Sequence, residues 1–487
     1  MKTEWWTPRL AGPVIAAAVV RFALLAVSLA RSGTSAIVWN DTMSYLEPGR
    51  NLLLHGRFIA EGAPDVVRTP GYPLFFAITS LGGLPLAAVA NVVLSVFSVV
   101  LVWRLGQRVF ADDRIALGAA WIFAFEPLSV AFSILLYSDT LFLALFLLST
   151  ERIAEFLRRR RLRVLAVAGL WLAAATFVRP ITYYLPVVLA LGLFLVLARV
   201  PGLRWKAPAV LLICVLPWLA AWQIRNRLET GYSGFSSISE VNLYFYSAAD
   251  VIARVEHRSM WDVSIELGHA PFTNHSAPSY LRQSYLARHP EQVGWSQGQR
   301  LAFMHSEAVH VIRAHYGVYL RSCFAALFLT VYDSGFGNYV RHMNPEDPSR
   351  YSTGLLKGGG ITRAISLAKG HPWIAVEKAA FGIVLLGMYL LAARGIVLIA
   401  RGVFRGCICN SCQWMLLGIS LYFLAISAAG SGGGGRFRLP VMPVVCILAA
   451  AGGQRGLRSS GFPHTASEPL SGSGRNGAPL STAAREI

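Results

Sequence analysis

The sequence predicts an all-α polytopic membrane protein, and two observations carry that expectation. Of its 487 residues, 55% are hydrophobic and only 14% are charged, with a mean hydropathy of +0.51, whereas soluble domains carry about a quarter charged residues. Apolar runs of roughly 20 residues recur along the chain, the length a helix rising about 1.5 Å per residue needs to cross about 30 Å of hydrocarbon. Many crossings follow, and a single soluble core is excluded.

The first run, residues 11–30, is too long for a signal-peptide core and lacks a convincing cleavage site, so it reads as an uncleaved first span with its N-terminus inside. Further spans are expected at about 84–103, 116–133, 139–157, 164–178, 181–198, 207–224, 375–400, 413–430 and 438–452. That makes about ten. An eleventh arises if 317-GVYLRSCFAALFLTVY-332 crosses instead of lying at the interface, and the interfacial reading keeps the later basic clusters inside.

The formal charge of +19 does not point to nucleic acid, because the arginines fall in short clusters between apolar runs. Arg104 with Arg108 and Arg114, the RRRRLR run at 158–163, Arg199 with Arg204 and Lys206, and Arg401 with Arg405 share one side when spans alternate from an inside N-terminus. Residues 31–83 and 225–374 then lie on the outer face. The stretch 44-SYLEPGRNLLLHG-56 reads there as an amphipathic interfacial helix, with Leu46, Leu52, Leu53 and Leu54 toward lipid and Glu47 paired with Arg50 toward water. Residues 453–487, rich in Gly, Ser and Pro, read as a disordered cytoplasmic tail.

Six cysteines show no disulfide framework. Cys407, Cys409 and Cys412 form the one cluster, and reduced thiols in a cytoplasmic loop explain them better than a metal site, since no fourth ligand is near. No metal or other cofactor is expected.

The polar groups that the apolar pattern leaves unexplained collect on the outer side: Asp41 and Glu47, Arg68 in RTPGYP, Asp139 in YSDT, Arg179 in VRP, Arg225 with Asn226, and Arg436 with Arg438 in GRFRLP. Arg21, inside the first span, is the exception and is expected to be helix-packed or snorkelling. Each alone has a bland explanation, such as a headgroup-seeking arginine or a helix-capping aspartate. Together they offer a carboxylate beside a phosphate-binding set, since guanidinium binds phosphate oxygens in pairs and a carboxylate can take a proton from an acceptor hydroxyl or amine. A lipid-linked phosphate sugar would leave its tail in the bilayer while its phosphate meets the arginines. Tight elements such as TPGYP and SGGGG bring backbone close to ligand or to neighbouring helices.

The order Asp41, Tyr45, Arg50-Asn51, Arg68 to Pro73, Asp139, Arg179-Pro180, Pro217-Trp218, Arg225-Asn226, Gly231, Asn242-Leu243 and Arg436 to Pro440 resembles the GT-C membrane glycosyltransferases of the protein O-mannosyltransferase and lipid A aminoarabinose transferase group. The resemblance spans roughly residues 10–452. It implies a GT-C helical domain whose first outer loop holds the catalytic carboxylate, here Asp41. It also implies a polyprenyl-phosphate-sugar donor bound by basic residues, inversion at the anomeric centre and a lipid, glycan or protein acceptor. On this footing Arg68, Arg225, Arg436 and Arg438 are the expected phosphate binders and Asp139 the second carboxylate; Tyr45, Glu47, Tyr72, Arg179 and Asn226 support them. Two departures concern the acceptor: Asp41-Thr42 stands where the O-mannosyltransferases have Asp-Glu, and Arg68 stands where the aminoarabinose enzymes have Lys. The outer segment also shows no obvious added soluble domain. The competing readings are a transporter or flippase of lipid-linked sugars, and a transferase of the O-antigen ligase or polymerase kind.

Overall fold

The computed structural model describes residues 6–269, 279–343, 372–402, 410–430 and 433–454. Within them the chain is almost wholly helical. Six helices are long and apolar enough to cross a membrane: Pro8–Ala36, Leu84–Phe110, Leu203–Thr230, Ala375–Ala400, Ser411–Gly430 and Gly435–Gly453. A seventh crossing arises if the pair Asp113–Ala124 and Pro127–Ser133, bent by 56°, counts as one. The other expected spans fall on Ser138–Arg159, whose charged last turns lower its hydropathy, and on the shorter apolar helices Leu162–Val178 and Pro180–Val196. Met1–Gly453 forms one compact unit. The expected tail, Cys407 and Cys409 lie outside the described residues, while Cys412 is buried and its Sγ donates to the Ala154 carbonyl at 3.7 Å.

The helices needed below are α1 (Ala11–Ser32), α2 (Thr42–His55), α3 (Gly71–Thr79), α4 (Leu84–Phe110), α5 (Asp113–Ala124), α6 (Pro127–Ser133), α7 (Ser138–Arg159), α8 (Leu162–Val178), α9 (Leu185–Val196) and α10 (Leu203–Thr230). The last helix, Met442–Gly453, is buried from Met442 to Gly452 and lies at the centre of the bundle. It meets Pro372–Ala400 at very short range, because a Cβ on Gly395 would stand 2.2 Å from the Leu448 carbonyl oxygen. Without water to drive association, such small-residue crossings hold membrane helices by close backbone packing.

The break between α5 and α6 is closed from both sides. Glu126 caps α6, its carboxylate accepting the Leu128 amide at 3.0 Å and the Ser129 amide at 2.6 Å. Arg21, fully buried on α1, donates to the Ala124 carbonyl at 2.7 Å and to Ser95 Oγ at 2.8 Å. Arg21 is therefore helix-packed, one of the two expected outcomes. At one end of the bundle Glu151 accepts Arg104 Nη2 at 2.9 Å and Arg108 Nε at 3.0 Å, and Arg158 of the RRRRLR run donates to the Gln107 carbonyl at 3.0 Å. The basic clusters that close α4 and α7 thus share an end, as the charge bias requires.

At the opposite end the chain between α1 and α4 folds back on itself. In α2, Glu47 and Arg50 are exposed with Leu53 and Leu54, as an interfacial helix demands, but Leu46 is buried in the core instead of facing lipid. The glycines of this region serve neighbouring backbone: a Cβ on Gly49 would lie 2.1 Å from the Pro73 carbonyl oxygen, and one on Gly71 would lie 2.7 Å from that of Phe177. Gly71 so presses the start of α3 onto the end of α8, two residues before Arg179. Between α2 and α3 a hairpin that the sequence reading missed pairs Ile59–Ala60 with Ala63–Pro64. Its turn takes Glu61 and Gly62 at φ 51° and 76°, the left-handed pair that matches hairpin twist.

The helix Tyr316–Tyr332 packs beside Asn410–Gly430. The following helix, Phe336–Met343, returns to the α1–α2 connection, where Arg341 donates to the Val38 carbonyl at 2.6 Å and Met343 O accepts Ser32 Oγ at 3.2 Å. The chain after Tyr332 is thus back among residues of the α2 end.

Candidate active site

Three helix boundaries and one glycine run aim the site. Pro180 forces Arg179 into extended backbone, φ −141° and ψ 119°, which ends α8 and frees its side chain to turn inward. Extended Tyr137 starts α7, leaving Asp139 in its first turn. Asp41 occupies the cap position of α2, yet its side chain makes no capping hydrogen bond. Gly434 donates to Thr330 Oγ1 at 3.3 Å and Gly435 to Asp333 Oδ2 at 2.9 Å, docking the loop that delivers Arg436.

These elements bring five charges together. Arg436 Nη2 lies 3.0 Å from Asp139 Oδ2 and its Nη1 3.4 Å from Asp41 Oδ2, so one guanidinium joins both carboxylates. Arg179 pairs with Asp139 from the other side. Arg68 Nη2 lies 3.1 Å from Asp41 Oδ1, while its Nε donates to Ser44 Oγ at 3.1 Å and its Nη1 to Tyr45 Oη at 3.3 Å. Three guanidiniums face two carboxylates, leaving one positive charge. Burial pushes the Asp41 carboxyl up, but the Arg68 and Arg436 charges overcome it, so it titrates below its ordinary value.

The two carboxylates differ in reach. The Asp139 side chain is 0% exposed and the Asp41 side chain 38%. Only Asp41 is open to an incoming group, and Asp139 stands behind it holding Arg179 and Arg436. Tyr72 is fully buried, edge-on to Tyr45 at 4.9 Å, and props the tyrosine over which Arg68 lies at 4.4 Å.

Several expected members are elsewhere. Arg225 does not reach the carboxylates: its Nη2 donates to the Phe58 carbonyl at 2.6 Å and its Nη1 to that of Asp65 at 2.7 Å, clamping the hairpin. Asn226 donates to the Gly234 and Phe235 carbonyls at 2.9 and 3.1 Å, fixing the turn after α10. Arg438 is buried and donates to the Thr330 and Val331 carbonyls at 2.7 and 2.9 Å. Glu47 does not serve Arg50 as expected but accepts the Glu61 amide at 2.7 Å, a third hold on the hairpin region.

Other members escaped sequence reasoning. Tyr137 Oη accepts the Asp41 amide at 3.3 Å, and the Arg436 guanidinium lies 4.4 Å over its ring. Asp65 Oδ1 accepts the Val67 and Arg68 amides at 2.7 and 3.1 Å, a local turn that sets the Arg68 backbone. Asp65 three residues before Arg68 was the available signal. Among the described residues no group of three His, Cys, Asp or Glu side chains is placed to hold a metal ion.

Residues 72–222, from Tyr72 through Asp139 and Arg179 to Trp222, match the family model described as dolichyl-phosphate-mannose-protein mannosyltransferase. The chain resembles this group of membrane glycosyltransferases. Among solved structures it is similar to the archaeal oligosaccharyltransferase AglB from Archaeoglobus fulgidus, in complex with an inhibitory peptide and a dolichol-phosphate, with 14% identity and a TM-score of 0.46. That match covers 91% of this chain and 50% of the AglB chain, so the chain spans about half the length of that relative. ArnT from Cupriavidus metallidurans in the apo state is similar at 14% identity and a TM-score of 0.39, over 88% of this chain and 78% of that one. No curated protein matches the chain.

Proposed function

We propose that the protein is an inverting glycosyltransferase. It moves a sugar from a polyprenyl-phosphate-sugar donor to a lipid, glycan or protein acceptor, at the outer face of a bacterial cytoplasmic membrane and without an obligatory metal. The observation that carries this reading is the single guanidinium of Arg436 held between Asp41 and Asp139, with Arg68 and Arg179 flanking them. The surplus positive charge suits a phosphodiester, which carries one negative charge, and the guanidiniums can follow the second charge that develops as the sugar leaves. Asp41 takes the proton from the acceptor oxygen or nitrogen as that atom bonds to the anomeric carbon. The bond from that carbon to the phosphate oxygen breaks on the opposite face, and its electron pair departs with polyprenyl phosphate. One in-line displacement inverts the centre.

A transporter would place its ionisable groups at a helix break in mid-membrane. The α5–α6 break does carry Glu126 and Arg21, but both are occupied in capping cut backbone, Glu126 on amides and Arg21 on carbonyls. That observation favours a structural role for the pair.

The test is lipid-linked sugar profiling in a strain lacking the protein. One polyprenyl-phosphate sugar should accumulate as one envelope sugar disappears, and wild-type protein should reverse both changes where Asp41→Asn does not. An unaltered lipid-linked pool would rule the reading out.

A further inference from the structure

Arg436 serves two carboxylates at once only while its plane is held. Its Nη1 reaches Asp41 Oδ2 at 3.4 Å, its Nη2 reaches Asp139 Oδ2 at 3.0 Å, and its Nε donates to that same oxygen at 3.1 Å. These donors lie in one rigid plane. The Asp41 contact is the longest of the three, so it is the first to be lost when the plane turns. The carboxylates fix the edge of the guanidinium, and its tilt needs a separate hold.

A run of four flat groups supplies it. The central carbon of the Arg436 guanidinium lies 4.4 Å from the centre of the Tyr137 ring. Tyr137 in turn stacks with Trp39, ring centres 5.6 Å apart and planes within 7° of parallel. The Arg341 guanidinium, 4.0 Å from the centre of the Trp39 ring, closes the run. Guanidiniums settle on aromatic faces because the electron-rich face of the ring attracts their charge. Arg341 is itself anchored: it is buried, its Nη2 donates to the Val38 carbonyl at 2.6 Å, and the ring nitrogens of His342 beside it stand 2.9 and 3.1 Å from the Ala36 and Ala131 carbonyls. The Trp39 backbone has its own task. Its amide donates to Thr42 Oγ1 at 2.9 Å and its carbonyl accepts the Thr42 amide at 2.8 Å, which starts α2 and leaves the ring to the stack.

We propose that Trp39 and Arg341 are positioning residues that act through Tyr137, holding the Arg436 guanidinium at the tilt from which it meets Asp41, Asp139 and the donor phosphate. This rests on the glycosyltransferase reading above. Tyr137 is the joint of the run, because its Oη also accepts the Asp41 amide at 3.3 Å. A displaced Trp39 ring therefore disturbs the phosphate-binding cation and the backbone of the base together. Helix Phe336–Met343, remote in sequence from both, reaches the site through stacked rings. A cation whose orientation is set before the ligand arrives loses little freedom on binding, which is what the stack contributes.

The experiment measures binding of polyprenyl phosphate to the full-length protein in lipid nanodiscs. Trp39→Leu, which removes the ring, should weaken binding by about tenfold, and Trp39→Phe, which keeps one, by under about threefold. Arg341→Met, which keeps the length of the side chain but not its charge or plane, should weaken it by about threefold. The same substitutions are then made in Arg436→Ala protein. A residue that acts only through Arg436 has nothing left to position there, so Trp39→Leu and Arg341→Met should cost under about twofold further. A residue that merely supports the fold would cost as much in either background. Undiminished binding in Trp39→Leu or Arg341→Met, failure of Trp39→Phe to restore it, or losses that add to that of Arg436→Ala overturns the positioning role. Wild-type protein that binds no polyprenyl phosphate, or Arg436→Ala protein that binds it as wild type does, overturns the glycosyltransferase reading itself.

Discussion

Asp41 and Asp139, 98 positions apart in the chain, share one side chain: Arg436 reaches the first at 3.4 Å and the second at 3.0 Å. The bridge gives two neighbouring carboxylates one shared counter-charge where lone charges are costly, and it ties the reachable Asp41 to the buried Asp139.

Arg436→Lys should fail despite keeping the charge. An ammonium is a point donor on a flexible stem and cannot hold two carboxylates in one plane. Loss of one preorganised cation at a reacting centre predicts a fall of about 100-fold in turnover. A lysine enzyme within a few-fold of wild type, measured on the same donor, would remove the bridge from the mechanism.

Arg225→Ala separates holding a loop from holding a ligand. Its guanidinium carries the Phe58 and Asp65 carbonyls, and hydrogen bonds to a charged group are worth about 1.5–3 kcal/mol each. Hydrogen exchange across residues 58–65 should quicken, while affinity for polyprenyl phosphate should fall far less than in Arg436→Ala. Equal losses of affinity in the two variants would return Arg225 to the phosphate site.

What the sequence could show follows from where charge is costly. Asp41, Arg68, Asp139, Arg179 and Arg436 stood out because ionisable residues flanking apolar runs need a reason, and the threading put them on one side. Arg225 and Arg438 stood out equally, yet a guanidinium aimed at backbone carbonyls looks the same in sequence as one aimed at phosphate. The Ile59–Pro64 hairpin was hidden because its strands are two residues long, too short for any alternation to register. The π-turn at Leu243–Ala248 leaves no periodic trace at all.

Far from the site, Glu151→Ala should injure the fold without touching the chemistry. Glu151 is 1% exposed and takes both Arg104, 4% exposed, and Arg108. Removing one partner of a buried pair leaves an uncompensated charge, at a cost of about 3–5 kcal/mol. Melting in detergent should drop clearly while the surviving protein keeps its KM; an unshifted melt would show that the cluster is solvated.

The acid limb of the rate should lie low. Burial raises the Asp41 carboxyl, and the Arg68 and Arg436 charges pull it back past its ordinary value of 3.8, so the base stays ionised as pH falls and is lost only below that value. The stability it contributes follows the same sign, present above the unfolded pKa and lost as pH falls through the folded one. Arg68→Gln removes the first of those cations, so the acid limb of its residual kcat/KM should move upward. A limb that stays in place would mean that another group controls the rate.

Asp41→Asn is the decisive substitution, because two roles for this residue predict opposite results. If Asp41 served as a helix cap, Asn would replace it at little cost, since both are preferred there. The cap position is occupied, but the carboxylate makes no capping bond and faces Arg68 and Arg436 instead. As the general base it has no substitute in the amide, and losing such a group costs about 100-fold to 10,000-fold in rate. Asn keeps the size and still accepts from one guanidinium, so the variant should insert, fold and bind polyprenyl phosphate. Losing a negative charge beside the arginines should, if anything, tighten that binding, because the lipid phosphate then competes with one carboxylate fewer. Slow transfer with undiminished or stronger phosphate binding is therefore the expected pair of results. Near-normal transfer by Asp41→Asn would assign the proton to another group, and weakened phosphate binding would mean that the carboxylate organises the arginines before it acts on the acceptor.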